Sequence, residues 1–181
     1  MTFRGLSVDR HGAAAVEFAL VSSMLIITIL FTMLAGLVLY MTQALDYATS
    51  KAARQIMTGA VQKAGVNQSD FRTQIVCSYL PTVMNCDDVI VNVQTLLEAA
   101  QPGGYYSFVQ SNQQGLIIPT LSNASAKYDV GVQFSYEYVQ IVYPITFLPR
   151  FIASILSQGA TYNNVPAYIA VSTAAFRNEQ Y

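Results

Sequence analysis

A long apolar run near the start of the chain is the dominant pattern in the sequence. Residues 18–45 include no Asp, Glu, Lys or Arg. At about 1.5 Å per residue, a helix of this length exceeds the roughly 30 Å hydrocarbon core of a membrane. The apolar core of a secretory signal peptide has only about 7–15 residues, and a domain of this size rarely buries so long a charge-free helix. The run therefore predicts a single transmembrane helix over residues 13–45, with a fully buried core helix as the alternative.

Apolar residues continue beyond this run at helical spacing. Leu45, Ala48, Ala52, Ile56 and Ala60 fall on one stripe at steps of three and four residues, the spacing of one helix face. The pattern predicts an amphipathic extension over residues 46–66, weakened at Gly59 and ended by Gly65. Because the stripe is mostly alanine, we expect a sheet or another helix of the core to pack closely against it, with a pure partner interface as the alternative.

Farther along the chain the apolar period changes from about 3.6 residues to 2. Alternation in "DVIVNVQTL" (residues 88–96) and "YDVGVQFSYEYVQIV" (residues 128–142) predicts two strands. The segment "PAYIAVSTAAF" (residues 166–176) is apolar on both faces and is predicted to be a central strand, and "GGYYSFVQ" (residues 103–110) is a shorter candidate. The predicted fold class is α+β: a single N-terminal transmembrane helix extends into a long helix packed on an antiparallel sheet, in a domain of residues 67–181.

Two further segments fit neither the long helix nor the strands. Residues 110–127 are rich in Gln, Asn, Ser and Gly and are predicted to form an exposed loop. After Pro149, Phe151 and Ile155 lie on one face of a short amphipathic helix together with Ile152 and Leu156. This face is expected to pack on the sheet, or else to contact the membrane or a partner.

Composition and charge argue against several functions. The formal net charge is −1, and charged residues make up 10% of the chain against about 25% in ordinary domains, so the sequence predicts no nucleic-acid partner. The only histidine, His11, precedes the apolar run, and no glycine-rich phosphate loop follows a strand. Asp87 and Asp88 are explained by a turn more simply than by a calcium site. We expect a protein that is not an enzyme and has no metal or cofactor.

The two cysteines bear on the compartment of the domain. Cys77 and Cys86 are the only cysteines, and their short separation predicts a disulfide in an oxidising compartment, with two unrelated buried thiols as the alternative. Basic residues on both sides of the run leave its orientation undecided: Arg4, Arg10, Lys51, Arg54 and Lys63. The orientation is therefore inferred from the cysteines, whose predicted disulfide favours a domain outside the cytoplasm.

The start of the apolar run carries a recognisable motif. "RHGAAAVEF" (residues 10–18) resembles the cleavage region of type IV pilins and pseudopilins, in which a glycine precedes the cut and a glutamate follows at the fifth mature position. "GAAAVEFALV", "QALDYATSKAARQIMTG", the paired cysteines and "AAFRNEQY" together resemble TadE-like proteins, the minor pseudopilins of Tad (Flp-type) pilus systems. The resemblance is dense over residues 10–60 and thin in the predicted sheet.

This resemblance implies a processing site and an assembly site. It implies that a prepilin peptidase cuts between Gly12 and Ala13 and removes a leader of residues 1–12. Glu17 and Phe18 then serve assembly, with the Glu17 carboxylate compensating the new α-ammonium of Ala13 in the same or a neighbouring subunit. The alternative is that Glu17 only marks the membrane boundary.

The resemblance also implies partners and a location. The implied partners are the membrane, other pseudopilins (TadF-like), the major Flp pilin and the Tad inner-membrane assembly platform. The implied location is the bacterial inner membrane, crossed once, with the C-terminal domain in the periplasm, or the pilus itself. The alternative function is a signal-anchored periplasmic binding domain that never polymerises.

Overall fold

The computed structural model describes residues 10–96, 108–110, 117, 121–157 and 159–181 of the chain, with side chains described from Ala14 onward. It has the predicted α+β architecture, in which a long apolar helix is followed by an antiparallel sheet. The chain divides into two compact units, Met1–Val38 and Leu39–Tyr181. The described residues of the first unit belong to the long helix, and the second unit holds the sheet together with the rest of that helix.

Helix α1 extends without interruption from Arg10 to Met57. Within the second unit it buries four of the five residues of the predicted stripe, since Leu45, Ala48, Ala52 and Ile56 have no exposed surface. The prediction is wrong for Ala60, which lies beyond the end of α1 and is exposed. Asp46, Ser50 and Arg54 are exposed on the opposite face, as the periodicity predicts. Since two of these four buried side chains are alanine, the helix backbone lies close to whatever covers it.

The amphipathic extension is interrupted at Gly59, which the sequence marked as its weak point. Gly59 has a φ of 74°, and a short helix α2 (Ala60–Ala64) follows and ends at Gly65, which also has a positive φ of 62°. The ring of Tyr181 lies over Gly59, where a Cβ atom would overlap it. The backbone N–H of Glu179 donates to the carbonyl of Met57 at 2.9 Å and so satisfies one open carbonyl at the end of α1.

Short helical turns lead from α2 to the sheet. Helix α3 (Gln68–Asp70) begins at Asn67, whose side chain accepts a hydrogen bond from the backbone N–H of Asp70 at 2.9 Å. A π-helical turn (Phe71–Val76) and two 3₁₀ turns (Cys77–Tyr79 and Cys86–Asp88) follow.

The main sheet is antiparallel and three-stranded, with the order β1–β2–β5. Its strands are β1 (Ile90–Leu96), β2 (Tyr136–Ile145) and β5 (Tyr168–Arg177). Two short strands, β3 (Thr161–Tyr162) and β4 (Val165–Pro166), form a separate hairpin. The turn between them places Asn163 and Asn164 at φ values of 50° and 63°, which suits asparagine in a two-residue hairpin loop.

The structure corrects two details of the predicted sheet. The central strand is β2, which is buried on both faces, whereas β5 lies at an edge, so the prediction of a central strand at residues 166–176 is wrong. Tyr128 forms only an isolated parallel bridge with Val93, and residues 129–135 are irregular, with Gly131 and Phe134 at φ values of 59° and 65°. Of the short strand candidate at residues 103–110, residues 103–107 lie outside the described part of the chain.

The predicted amphipathic helix is present as α4 (Arg150–Leu156), which begins directly after Pro149. Ala153 faces inward and is buried, and Leu148 just before the helix is buried as well. The apolar face that was expected to pack on the sheet is instead exposed, with Phe151 at 69% and Ile155 at 68%, so that part of the prediction is wrong.

Candidate functional site

The first candidate site is the apolar part of α1. Residues Ala14–Met57 form a helix long and apolar enough to cross a membrane, as judged by length and composition. From Val16 to Met33 its large apolar side chains are at least half exposed, and Phe18 is 74% exposed. Such a surface is unfavourable in water and favourable in lipid or against other apolar helices.

Polar side chains within this segment are satisfied by the helix itself. The hydroxyls of Ser23, Thr28 and Thr32 donate to the carbonyls of Leu20, Met24 and Thr28, three or four residues back, at 2.8–2.9 Å. A hydroxyl bonded in this way exposes no free donor to hydrocarbon. The segment is therefore compatible with a membrane in spite of its serines and threonines.

Glu17 is the exception among these polar residues. It is the only Asp, Glu, Lys or Arg between Arg10 and Asp46, and the structure places it on the exposed surface of α1. A carboxylate inside a bilayer costs about 2.5–3.5 kcal/mol on insertion scales, so it requires a compensating group. Gly12 and Ala13 lie in the same helix one turn before Glu17, but their side-chain surroundings are outside the described part. The roles of Gly12, Ala13, Glu17 and Phe18 stay predictions.

The predicted disulfide is present. Cys77 and Cys86 are bonded, with their Cα atoms 5.8 Å apart, so the alternative of two unrelated thiols is wrong. Next to the bond, the backbone N–H of Asn85 donates to the Tyr143 hydroxyl on β2 at 3.1 Å. The bond closes a loop that is thus also tied to the central strand.

The acidic pair after Cys86 has structural partners. The side chain of Asn85 accepts a hydrogen bond from the backbone N–H of Asp87 at 3.2 Å, and Asp88 accepts one from the Tyr162 hydroxyl at 2.9 Å. These contacts fit the predicted turn. Within the described residues, His, Cys, Asp and Glu side chains form no group of three that could hold a metal ion.

Glu137 alternates with apolar residues in the segment of residues 128–142, which is typical of a solvent-facing position, but its carboxyl group is buried. Glu137 has no exposed surface, and its Oε1 accepts hydrogen bonds from Ser135 Oγ at 2.6 Å and Asn178 Nδ2 at 3.5 Å. Burial raises the pKa of Glu137 to about 7, and the neighbouring charge of Asp129 acts in the same direction. The sequence does carry a signal for this buried group, because Glu137 is the only charged residue in β2.

Asn178 joins this carboxyl group to the irregular segment before β2. Its side-chain amide donates to the carbonyls of Val130 and Val132 at 3.1 and 3.0 Å. The buried Glu137 and Asn178 together hold residues 130–137 against the end of β5, so we assign them a structural role.

These features define a protein in which one candidate membrane helix continues into a disulfide-bonded α+β domain. The family model described as "TadE-like protein" matches residues 12–54, which lie within the helix just described, so this segment of the chain is similar to that family. Comparisons with curated proteins and with solved structures gave no match.

Proposed function

We propose that this protein is a minor pseudopilin that takes part in assembling Tad (Flp-type) pili for surface adherence. The observation that carries the proposal is the position of the family match. It begins at Gly12 and covers the motif with Glu17, the apolar helix and the first turns beyond it. A protein used in this way needs a membrane-inserted helix that can later pack against other helices, and the uncovered surface of α1 suits both states.

The proposal gives Gly12 and Glu17 separate tasks. A prepilin peptidase cleaves after Gly12 and leaves Ala13 with a free α-ammonium group. The Glu17 carboxylate neutralises that charge, in the same subunit or in a neighbouring pseudopilin. Insertion itself depends on the apolar run, so it does not require Glu17.

The proposal also assigns partners and orientation. The partners are the prepilin peptidase, other pseudopilins, the major Flp pilin and the Tad assembly platform, and the protein has no catalytic activity of its own. The domain that holds the Cys77–Cys86 bond lies in the periplasm. The disulfide supports this side of the membrane, because such bonds persist in oxidising compartments.

The processing step is tested by Gly12→Leu, with Gly36→Leu as the matched control. Gly36 lies in the same helix with no neighbouring atom within 4 Å of an added Cβ, so its substitution adds the same bulk elsewhere. We expect Gly12→Leu to leave a membrane-inserted precursor and Gly36→Leu to be processed normally. N-terminal sequencing of the protein from membranes measures both. Functional wild-type protein that retains residues 1–12 would contradict the proposal and favour an unprocessed, anchored binding domain.

The assembly step is tested by Glu17→Ala, with Thr28→Ala as the control. Thr28 is also polar and exposed on α1, but its hydroxyl is satisfied within the helix. Glu17→Ala should insert at least as well as the wild type, since it removes a charge from the membrane, and it should lose pilus formation. Thr28→Ala should retain pili. Normal piliation with Glu17→Ala would refute the assigned role.

A further inference from the structure

The second unit exposes an apolar surface around α4. Phe151 and Ile155 are 69% and 68% exposed, and Phe147 and Leu156 are each 45% exposed. We call these four residues the α4 patch. Ala153 and Leu148 are buried, so the patch lies on the side of α4 that faces away from the domain.

Three contacts place the α4 patch at one end of the second unit. The ring of Tyr47 on α1 meets that of Tyr79 edge-on, with centroids 6.0 Å apart, and an open groove joins Tyr40 to Pro81. The disulfide that follows Tyr79 leads to Asn85, which is bonded to Tyr143 near the end of β2. From there the chain passes directly into the patch.

Other contacts mark the opposite end of the unit. The carbonyl of Met57, where α1 ends, accepts a hydrogen bond from the backbone N–H of Glu179, just after β5. The hydroxyl of Tyr128 donates to the carbonyl of Val66 at 2.9 Å. The start of α1 within this unit and the α4 patch therefore lie at one end, and the end of α1 lies at the other.

A lipid surface fits the α4 patch better than a charged partner. At Leu39, α1 enters this end of the unit directly from its apolar run. The chain segment that carries the patch has a single basic residue, since Arg150 is the sole Lys or Arg between Lys127 and Arg177. Lys51 lies over the Tyr47 ring at the same end. Exposed Tyr40 and Tyr47 occupy the same end, and tyrosine is enriched where protein meets the membrane–water interface.

We propose that the α4 patch inserts into the interfacial layer of the same bilayer that α1 spans. Phe151 and Ile155 enter the acyl boundary, and Arg150 stays at the headgroup level, as in interfacial amphipathic helices. Together with α1, this second contact fixes the orientation of the domain on the membrane. The inference relies on the proposed function only in that α1 crosses the membrane.

The chain contains no tryptophan, so a single substitution supplies a unique fluorescent probe. The full chain carrying Phe151→Trp is reconstituted in phosphatidylcholine vesicles whose acyl chains are brominated, because bromine quenches tryptophan on contact. Val132→Trp is the matched control, since Val132 is 72% exposed and lies near the opposite end of the unit. Phe31→Trp reports on the span itself.

We expect quenching of Phe151→Trp to exceed that of Val132→Trp at least two-fold, with emission shifted to the blue. Adding Ile155→Ser to Phe151→Trp should remove most of the difference. Equal quenching of Phe151→Trp and Val132→Trp, with Phe31→Trp strongly quenched, would overturn the proposal while leaving the span intact. A third outcome would also overturn the proposal: a blue shift of Phe151→Trp that grows with the protein-to-lipid ratio while bromine causes no quenching. It would mean that a second copy of the chain covers the patch. An unquenched Phe31→Trp would refute the span and, with it, the α4 contact.

Discussion

Replacing Glu137 with glutamine should change how the stability of the domain depends on pH. The carboxyl group is fully buried, and its Oε2 has no hydrogen-bond partner in the described part of the chain. Because burial raises its pKa from an ordinary 4.5 to about 7, the folded domain binds a proton that the unfolded chain has released. The free energy of unfolding that the protonated Glu137 side chain contributes is thus fully present below pH 4.5 and is lost as the pH rises through 7.

The size of the effect follows from the pKa. A change from 4.5 to about 7 corresponds to about 3 kcal/mol between the two protonation states, a large fraction of the stability of a small domain. Between pH 4.5 and pH 8 the wild type should lose about that much free energy of unfolding relative to Glu137→Gln, whose side chain stays neutral. Asp129→Asn should reduce the loss in part, since the charge of Asp129 contributes to the raised pKa.

Urea unfolding of the full chain in detergent micelles measures these differences. The 12 tyrosines provide a near-ultraviolet circular dichroism signal for the packing of the domain. Curves are collected for both proteins from pH 4.5 to pH 8, and titrations elsewhere in the chain cancel in the comparison. If the free energies of unfolding of wild type and Glu137→Gln changed in parallel with pH, the assignment of a raised pKa to Glu137 would be wrong.

Two further predictions concern the disulfide and Gly59. Substituting both Cys77 and Cys86 with serine should lower the free energy of unfolding by about 2.7 kcal/mol in the chain-entropy model, because the bond closes a short loop. Alkylation of native protein before and after reduction, followed by mass measurement, should find no free thiol until the bond is reduced. Gly59→Ala should destabilise the domain through its positive φ, by about 1–2 kcal/mol, and through overlap with the Tyr181 ring. In a Tyr181→Ala background only the destabilisation from the positive φ should remain. If urea unfolding showed that Gly59→Ala costs the same free energy of unfolding with and without the Tyr181 ring, the proposed overlap would be contradicted.

Local patterns in the sequence were sufficient to predict the long helix and the disulfide and to locate the motif around Glu17. The spacing of Leu45, Ala48, Ala52 and Ile56 fixes which face of α1 is buried, since that face is set by the helical repeat alone. The motif from Gly12 to Glu17 is likewise contained within one stretch of helix. Features of this kind need no knowledge of the remaining fold.

The burial of β2 depends on distant residues and could not be predicted in this way. The ring of Phe108 stacks on Tyr138 with centroids 4.0 Å apart, and Gln140 Nε2 donates to the carbonyl of Ile117 at 3.3 Å. Residues from the predicted exposed loop and its flank thus cover a strand that alternation marked as half polar. Glu137 was missed for a related reason, because Asn178 reaches it from the far end of β5.

The strand order has a consequence for the time course of folding. About 40 residues separate β1 from β2, and about 20 separate β2 from β5, so neither pairing with the central strand is local. Helices form in about a microsecond, whereas non-local sheets assemble in milliseconds to seconds. We therefore expect α1 to form well before the sheet. During that interval the edges of β1 and β2 are open to neighbouring chains, and this is when the protein is most vulnerable to aggregation and most dependent on chaperones.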